Sequence, residues 1–319
     1  MRLLKPLFLV TVTLLVVTLL VIPLLVRGQV AFSLFPEKFD LELSPNEVYQ
    51  DQIRVSNLSN ISLTINVKIK NFSAKGEKGE ITFEEGGDIS FDPSQWIEFK
   101  EKKFVLGPKE LKKINFIIKV PPKAESGGYY ATSLFQVETP IPTGGSTKIL
   151  PTLGALFLLK IKGGEEKYPP LEKQFELIEL NAPTFIENGP IKINFRLKNN
   201  DPVHIKAGGK LIIYNPFGKI KEEIKIDDQT ILPQKIRFFE IKTKGKTFFD
   251  NFFFGPYKGE LILSTQTWRE KIGNERQLVK SFNFFALPWK IFLIFLIIVL
   301  LIIFIFLVEK KGRRNSIIK

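Results

Sequence analysis

The stretch Ile61-Ser62-Leu63-Thr64-Ile65-Asn66-Val67-Lys68-Ile69-Lys70-Asn71-Phe72 decides the fold class. Ile61, Leu63, Ile65, Val67 and Ile69 fall at every second position, with Ser62, Thr64, Asn66, Lys68 and Lys70 between them. Successive side chains of a strand point to opposite faces, so this period predicts one buried and one wet face, as in an antiparallel sheet. The pattern repeats on both sides. Phe39-Asp40-Leu41-Glu42-Leu43 alternates and stops at Ser44-Pro45, and Ile114, Phe116 and Ile118 alternate within Leu111–Val120. Gly154–Ile161 is more uniformly apolar and suits a strand covered on both faces.

A composition break follows at Gly163-Gly164-Glu165-Glu166-Lys167-Tyr168-Pro169-Pro170, a short and stiff linker. New strands are expected at Phe175–Leu180, Ile191–Lys198, Leu211–Tyr214, Ile220–Ile226, Ile236–Ile241, Gly259–Thr265 and Leu278–Phe285. The halves echo each other. Leu106-Gly107-Pro108-Lys109, an alternating strand and Gly127-Gly128-Tyr129-Tyr130 are matched by Ile231-Leu232-Pro233-Gln234, a strand and Gly255-Pro256-Tyr257. The expectation is an all-β protein: two immunoglobulin-like β-sandwiches in tandem, residues 29–163 and 173–287, joined by a linker over 164–172.

Two apolar runs flank this body. Pro6–Val26 has no charge and follows Arg2 and Lys5, which reads as a secretory signal over residues 1–28 or, since the run is long, an N-terminal anchor. Pro23 would break the helix near its end, and Val26 and Gly28 suit a cut after Gly28. Ile291–Val308 is 18 consecutive apolar residues. At 1.5 Å per residue they span about 27 Å, close to the hydrocarbon thickness of a bilayer, so residues 288–308 read as a transmembrane helix. Trp289 is its interfacial aromatic. Lys310, Lys311, Arg313 and Arg314 follow in the tail, 309–319, and place it in the cytoplasm by the positive-inside rule. The body is then outside, on a plasma-membrane protein that is single-pass, or two-pass if the first run is retained.

The net charge of +13 invites a nucleic-acid reading until it is placed. Val30–Ala286 carries 37 basic and 32 acidic residues, so most of the excess flanks the apolar runs and nucleic acid is not an expected partner. The absence of cysteine rules out disulfides, thiolate zinc sites and a cysteine nucleophile. There is no P-loop, dinucleotide glycine motif or nucleophile elbow, and no cofactor is expected. His204, the one histidine, sits in Asp201-Pro202-Val203-His204 and reads as a surface or turn residue with no triad around it. Glu84, Glu85 and Asp88 around Gly86-Gly87 lack the ligand spacing of a calcium loop and read as a solvated acidic turn. Asn57, Asn60 and Asn71 each open a glycosylation sequon.

The aromatic residues carry the binding expectation. Trp96 and the Tyr129-Tyr130 pair admit two readings, sugar-stacking rings or core packing, with core favoured for Trp96. Tyr129 and Tyr130 adjoin on a strand, so one points in and the other out. Gly127 and Gly128 let backbone approach a ligand closely. Phe248, Phe249, Phe252, Phe253 and Phe254 cannot easily all be buried on one strand face, so at least one is expected to meet the bilayer surface, the other domain or a partner, with plain core packing as the alternative.

Phe39-Asp40-Leu41-Glu42-Leu43-Ser44-Pro45-Asn46-Glu47, Val55-Ser56-Asn57, Trp96-Ile97, Phe104-Val105-Leu106-Gly107-Pro108-Lys109-Glu110 and Val120-Pro121-Pro122-Lys123-Ala124-Glu125-Ser126-Gly127-Gly128-Tyr129-Tyr130 together resemble the WxL-interacting proteins of Gram-positive surfaces. Asn46 stands where that family usually has Gly, and Asn tolerates the same left-handed backbone. Motif-level similarity covers mainly residues 33–163. The resemblance implies a signal peptide, a peptidoglycan-binding immunoglobulin-like domain, a second such domain, one membrane span and a basic tail. Similar patterns occur in other surface modules, including bacterial chaperone-like domains.

The functional expectation is a non-enzymatic, membrane-anchored surface protein that binds peptidoglycan or a WxL-type surface protein, with Gly127, Gly128, Tyr129 and Tyr130 as the ligand-binding residues. The alternative is an accessory subunit of a secretion or pilus-like complex that lends a strand edge to another chain.

Overall fold

The computed structural model describes residues 30–84, 91–138, 151–163, 173–243, 245, 252–266 and 276–316. The signal or anchor segment, the linker, Glu85, Asp88, Phe248 and Phe249 lie outside the described residues. Among the described residues the chain is all-β apart from a one-turn helix, α1 (Pro93–Trp96), and a C-terminal helix, α2 (Trp289–Ser316). It clusters into two compact units.

The first unit comprises Met1–Ser73 and Phe83–Glu166. One sheet orders β1 (Phe32–Phe35), β3 (Val48–Asn57), β8 (Leu111–Lys119) and β6 (Ile97–Phe99). The other orders β2 (Lys38–Leu43), β10 (Thr152–Ile161), β9 (Gly127–Val137), β4 (Leu63–Lys75) and β5 (Glu80–Glu84), with β7 (Lys103–Leu106) also on β4. The β2–β10 pair is parallel, whereas β9 pairs antiparallel with both β10 and β4. Inward positions of both sheets meet in one core, where Phe39 stacks on Phe157 at 5.0 Å and Phe116 meets both rings edge-on. Removing this apolar surface from water is the main stabilising force of a sandwich that has no disulfide.

The second unit repeats this strand plan. One sheet orders β11 (Phe175–Asn181), β13 (Lys192–Asn199) and β16 (Ile236–Lys242). The other orders β12 (Phe185–Ile186), β18 (Arg276–Ala286), β17 (Gly255–Gln266), β14 (Ile205–Tyr214) and β15 (Ile220–Ile231), and again its first pair is parallel. Its core stacks Phe195 on Phe239 at 4.6 Å and Tyr257 on Phe284 at 5.3 Å. Ala74–Thr82, the tip of the β4–β5 hairpin, clusters with this unit. The Glu77 carboxylate accepts from Arg196 Nε at 2.9 Å and from Arg196 Nη2, and the Phe238 N–H donates to the Glu77 carbonyl at 2.9 Å.

Two expectations need correction. Ile61 is not the first inward residue of its strand: β4 opens at Leu63 and Ile61 is exposed. The Asn57 side chain donates to the Ile61 carbonyl at 2.7 Å and holds the preceding residues as a turn. His204 sits at a turn, but it is buried rather than on the surface, because it immediately precedes β14, whose first residues run through the core.

Within α2 the segment Trp289–Leu307 is long and apolar enough to cross a membrane, with mean hydropathy 3.4 and none of it buried within the protein. Lys310, Lys311, Arg313 and Arg314 continue the same helix.

Candidate functional site

Asp92 begins the local construction of the first unit's aromatic site. It caps α1, accepting from the Ser94 N–H, with Pro93 as the first helical residue. Its carboxylate also accepts from Ser94 Oγ and Asn71 Nδ2, each at 2.6 Å, and from Gln95 Nε2 at 2.8 Å. Burial works against its charge, but these hydrogen bonds prevail and hold its pKa below the usual aspartate value. The single helical turn swings Trp96 into the core at 1% exposure, so its ring is a packing residue.

Tyr129 packs on that ring, with centroids 4.6 Å apart. It pairs with Leu159 across the ladder and lies on the inner face of the sheet, and its hydroxyl donates to the Glu125 carbonyl at 3.0 Å. Burial, helped by the nearby Glu125 charge, pushes its pKa up, so the phenol remains a donor at neutral pH.

Tyr130 is the outward residue of the pair. It stands on the outer face beside Leu158, its cross-strand partner, and meets Phe72 edge-on at 5.9 Å. Its ring also lies over Gly128: a Cβ added there would fall 2.1 Å from the Tyr130 hydroxyl oxygen. Gly128 therefore leaves room for a tyrosine of this chain. Gly127 is buried at φ 149°, a conformation that side-chain-bearing residues rarely adopt, and opens the strand. Phe72, Tyr130 and Leu158 form an apolar strip outside the core cluster, on a face where alternation calls for polar residues. Phe72 and Leu158 are its buried floor, and Tyr130 is the half-buried ring that solvent reaches. Lys160 and Asp40 pair at 3.1 Å on the same sheet, and Lys70 is exposed. Such a strip can stack on a flat apolar face and direct hydrogen bonds from its rim.

The parity of this strand was present in the sequence. Phe135 and Val137, with Gln136 between them, share parity with Tyr129 and assign it to the core; Thr132 and Leu134 on the other parity blur that signal. A second, shallow concavity of about 660 Å³ opens on the other sheet, lined by Gln50, Asp51, Gln52, Glu98, Lys100 and Asn115 among others. Among the described residues no group of three or more His, Cys, Asp or Glu is placed to hold a metal ion. Glu84 is an exposed residue at the end of β5.

Of the phenylalanine cluster, Phe253 is fully buried against Tyr257 at 5.0 Å, while Phe252 and Phe254 are exposed. Phe254 touches Phe292 of α2, with ring centroids 5.7 Å apart. At the start of α2, Lys290 pairs with Glu187 at 2.8 Å and lies over the Trp289 ring at 5.6 Å.

No protein-family model matches this chain, and no curated protein does. Solved structures similar to it include the class 5 fimbriae chaperone CfaA, at 16% identity and TM-score 0.39, over 79% of this chain and 98% of that one. The periplasmic chaperone SfaE is similar at 14% identity and TM-score 0.35, over 81% and 100%. A chain of the CsuC–CsuE chaperone–tip subunit complex from Acinetobacter baumannii is similar at 10% identity and TM-score 0.37, over 78% and 97%.

Proposed function

We propose that this chain is a membrane-anchored, non-catalytic surface protein. In this reading its two units are immunoglobulin-like domains in tandem, and the first binds a cell-wall polymer, peptidoglycan, or a WxL-type surface protein. The observation that carries the reading is the outward Tyr130 over Phe72 and Leu158: an apolar strip on the sheet face that alternation should have made polar. The shared strand plan supports the tandem reading, since both units order their strands alike and close with a parallel first pair. The apolar α2 supports the anchor, and the four basic residues after it support a cytoplasmic tail, with residues 1–28 as the export signal or a second anchor.

The test is sedimentation of the full-length, detergent-solubilised protein with insoluble peptidoglycan, alongside thermal unfolding. By analogy with bases stacked on aromatic side chains, losing one stacked aromatic costs about 1–3 kcal/mol, so Tyr130→Ser should lower retention by about tenfold while its melting curve stays cooperative. Tyr129→Ser should lower stability itself, because Tyr129 packs on Trp96. A folded Tyr130→Ser protein with undiminished retention would place the site elsewhere.

A second reading is favoured by β5. All five of its residues are exposed, Ile81 and Phe83 among them, on a strand at the edge of its sheet. Such an edge suits pairing with a strand of another chain, as in a subunit of a larger envelope complex. Co-purification of another protein at fixed stoichiometry, lost on Phe83→Lys, would favour this reading over polymer binding.

A further inference from the structure

The end of the second unit from which α2 emerges carries an aromatic surface that packing does not explain. Phe217 is 87% exposed, more than any other large apolar side chain among the described residues. It sits in the turn joining β14 to β15, and that turn is held: Asn215 Oδ1 accepts from the Phe217 and Lys219 N–H groups, both at 3.0 Å, and Gly218 N donates to the Asn215 carbonyl at 2.9 Å.

Strand register places this turn at the level where the helix starts. Tyr214 pairs with Lys258, and Lys258 with Asn283. The turn then runs on past that line, and Pro216 closes on Gly255, the residue paired with Ala286. Trp289 begins α2 just beyond Ala286. Phe185 and Phe285, 53% and 45% exposed, pair at the same end, and Phe254, 51% exposed, leans on Phe292 of the helix. Lys219 and Lys290 are exposed at this end too.

We propose that this end of the second unit is a bilayer-docking surface. Phe217, Phe254, Phe285 and Phe185 sit at the headgroup boundary around the helix, and Lys219 faces the lipid phosphates, while Lys290 stays paired with Glu187 at the helix start. Rings with lysines are the composition of membrane interfaces, where an apolar body meets the acyl boundary and a charged tip stays wet. The occupant follows from chain continuity: the lipid-length helix leaves this surface directly, so the nearest large apolar phase is the membrane that it enters. The proposal rests on reading α2 as a transmembrane anchor.

The absence of cysteine allows single labels on the full chain. Spin labels at Lys219→Cys, Lys235→Cys and Ile298→Cys are read in vesicles of phosphatidylcholine and phosphatidylglycerol by oxygen and nickel-chelate accessibility. Position 235 lies in the turn between β15 and β16, at the opposite end of the unit. The expected result is a lipid signature at 298, a several-fold higher oxygen-to-nickel ratio at 219 than at 235, and a fall of the 219 ratio towards that of 235 when Phe217→Ser is added. A lipid signature at 298 with equal ratios at 219 and 235 overturns the docking surface and leaves the anchor standing. Water accessibility at 298 overturns the anchor and the docking surface with it. Shielding of 219 from both reagents overturns lipid docking in favour of a protein covering the same rings.

Discussion

Asn57 and Asn199 hold equivalent places in the two units. Each ends the second strand in the order of its first sheet, each is at most 1% exposed, and each side chain ties a following turn to the proline turn ahead of β8 or β16. Asn57 Nδ2 donates to the carbonyls of Ile61 at 2.7 Å and Gly107 at 2.8 Å, while its Oδ1 accepts from Ser59 N at 2.9 Å. Asn199 Nδ2 donates to the carbonyls of Val203 at 2.8 Å and Ile231 at 2.9 Å, and its Oδ1 accepts from Asp201 N at 2.8 Å. Both proline turns continue through a left-handed residue, Lys109 at φ 59° and Gln234 at φ 57°.

Asn57→Ala and Asn199→Ala should each destabilise their unit by about 2 kcal/mol, because buried carbonyls and an N–H lose their partners. Urea unfolding followed by tryptophan fluorescence reports the first, since Trp96 is buried in that unit. An unchanged midpoint for Asn57→Ala would mean that the amide is dispensable to the turn.

Two glycines should respond differently to one added methyl. At Gly209, a Cβ would fall 2.0 Å from the Ile262 carbonyl oxygen, a backbone atom beside a bulge, and φ is 144°. Gly209→Ala should cost about 3 kcal/mol or more. At Gly128 the obstacle is the end of the Tyr130 side chain, which can swing away. Gly128→Ala should cost under about 1 kcal/mol in stability yet, on the proposed peptidoglycan-binding reading, lower retention in the same direction as is expected of Tyr130→Ser. Thermal unfolding and sedimentation separate the two.

Acid should weaken the first unit through Asp92. Its pKa is depressed in the folded state, so the unfolded chain takes up the proton more readily, and its contribution is present above the usual aspartate range. That contribution is lost as pH falls from about 5 through the folded value. Glu77, lowered chiefly by its hydrogen bonds from Arg196, adds to the loss in the second unit with the same sign. Urea midpoints measured from neutral pH downwards should fall in this window. Asp92→Asn, less stable at neutral pH, should show a shallower fall.

The three sequons should differ in their use. Asn57 is buried with its amide engaged, and Asn71 gives its amide to Asp92 at 2.6 Å, whereas Asn60 is exposed. When the folded protein is offered to an oligosaccharyltransferase, peptide mass spectrometry should find the glycan at Asn60. Modification of Asn57 in folded protein would contradict its buried hydrogen bonds.

The local alternation of Ile65, Val67 and their polar neighbours announced β4, and the echo of Pro108 and Pro233 announced the repeated plan of the two units. The apolar run after Trp289 announced a lipid-length helix. These features reside in neighbouring residues: a two-residue period, a proline that sets its own φ, and a run too apolar to leave any face to water.

The tertiary structure decided the rest. Ala74–Thr82 belongs with the second unit, where Arg196, 119 residues beyond Glu77, and the Phe238 N–H both bind Glu77. Tyr130 became the outward ring once β9 found its register against β10, with Leu159 opposite Tyr129. His204 became a core residue because β14 starts inside the sandwich. Alternation determines that neighbouring side chains part company, but which one meets the core depends on the strand alongside, and that strand comes from elsewhere in the chain.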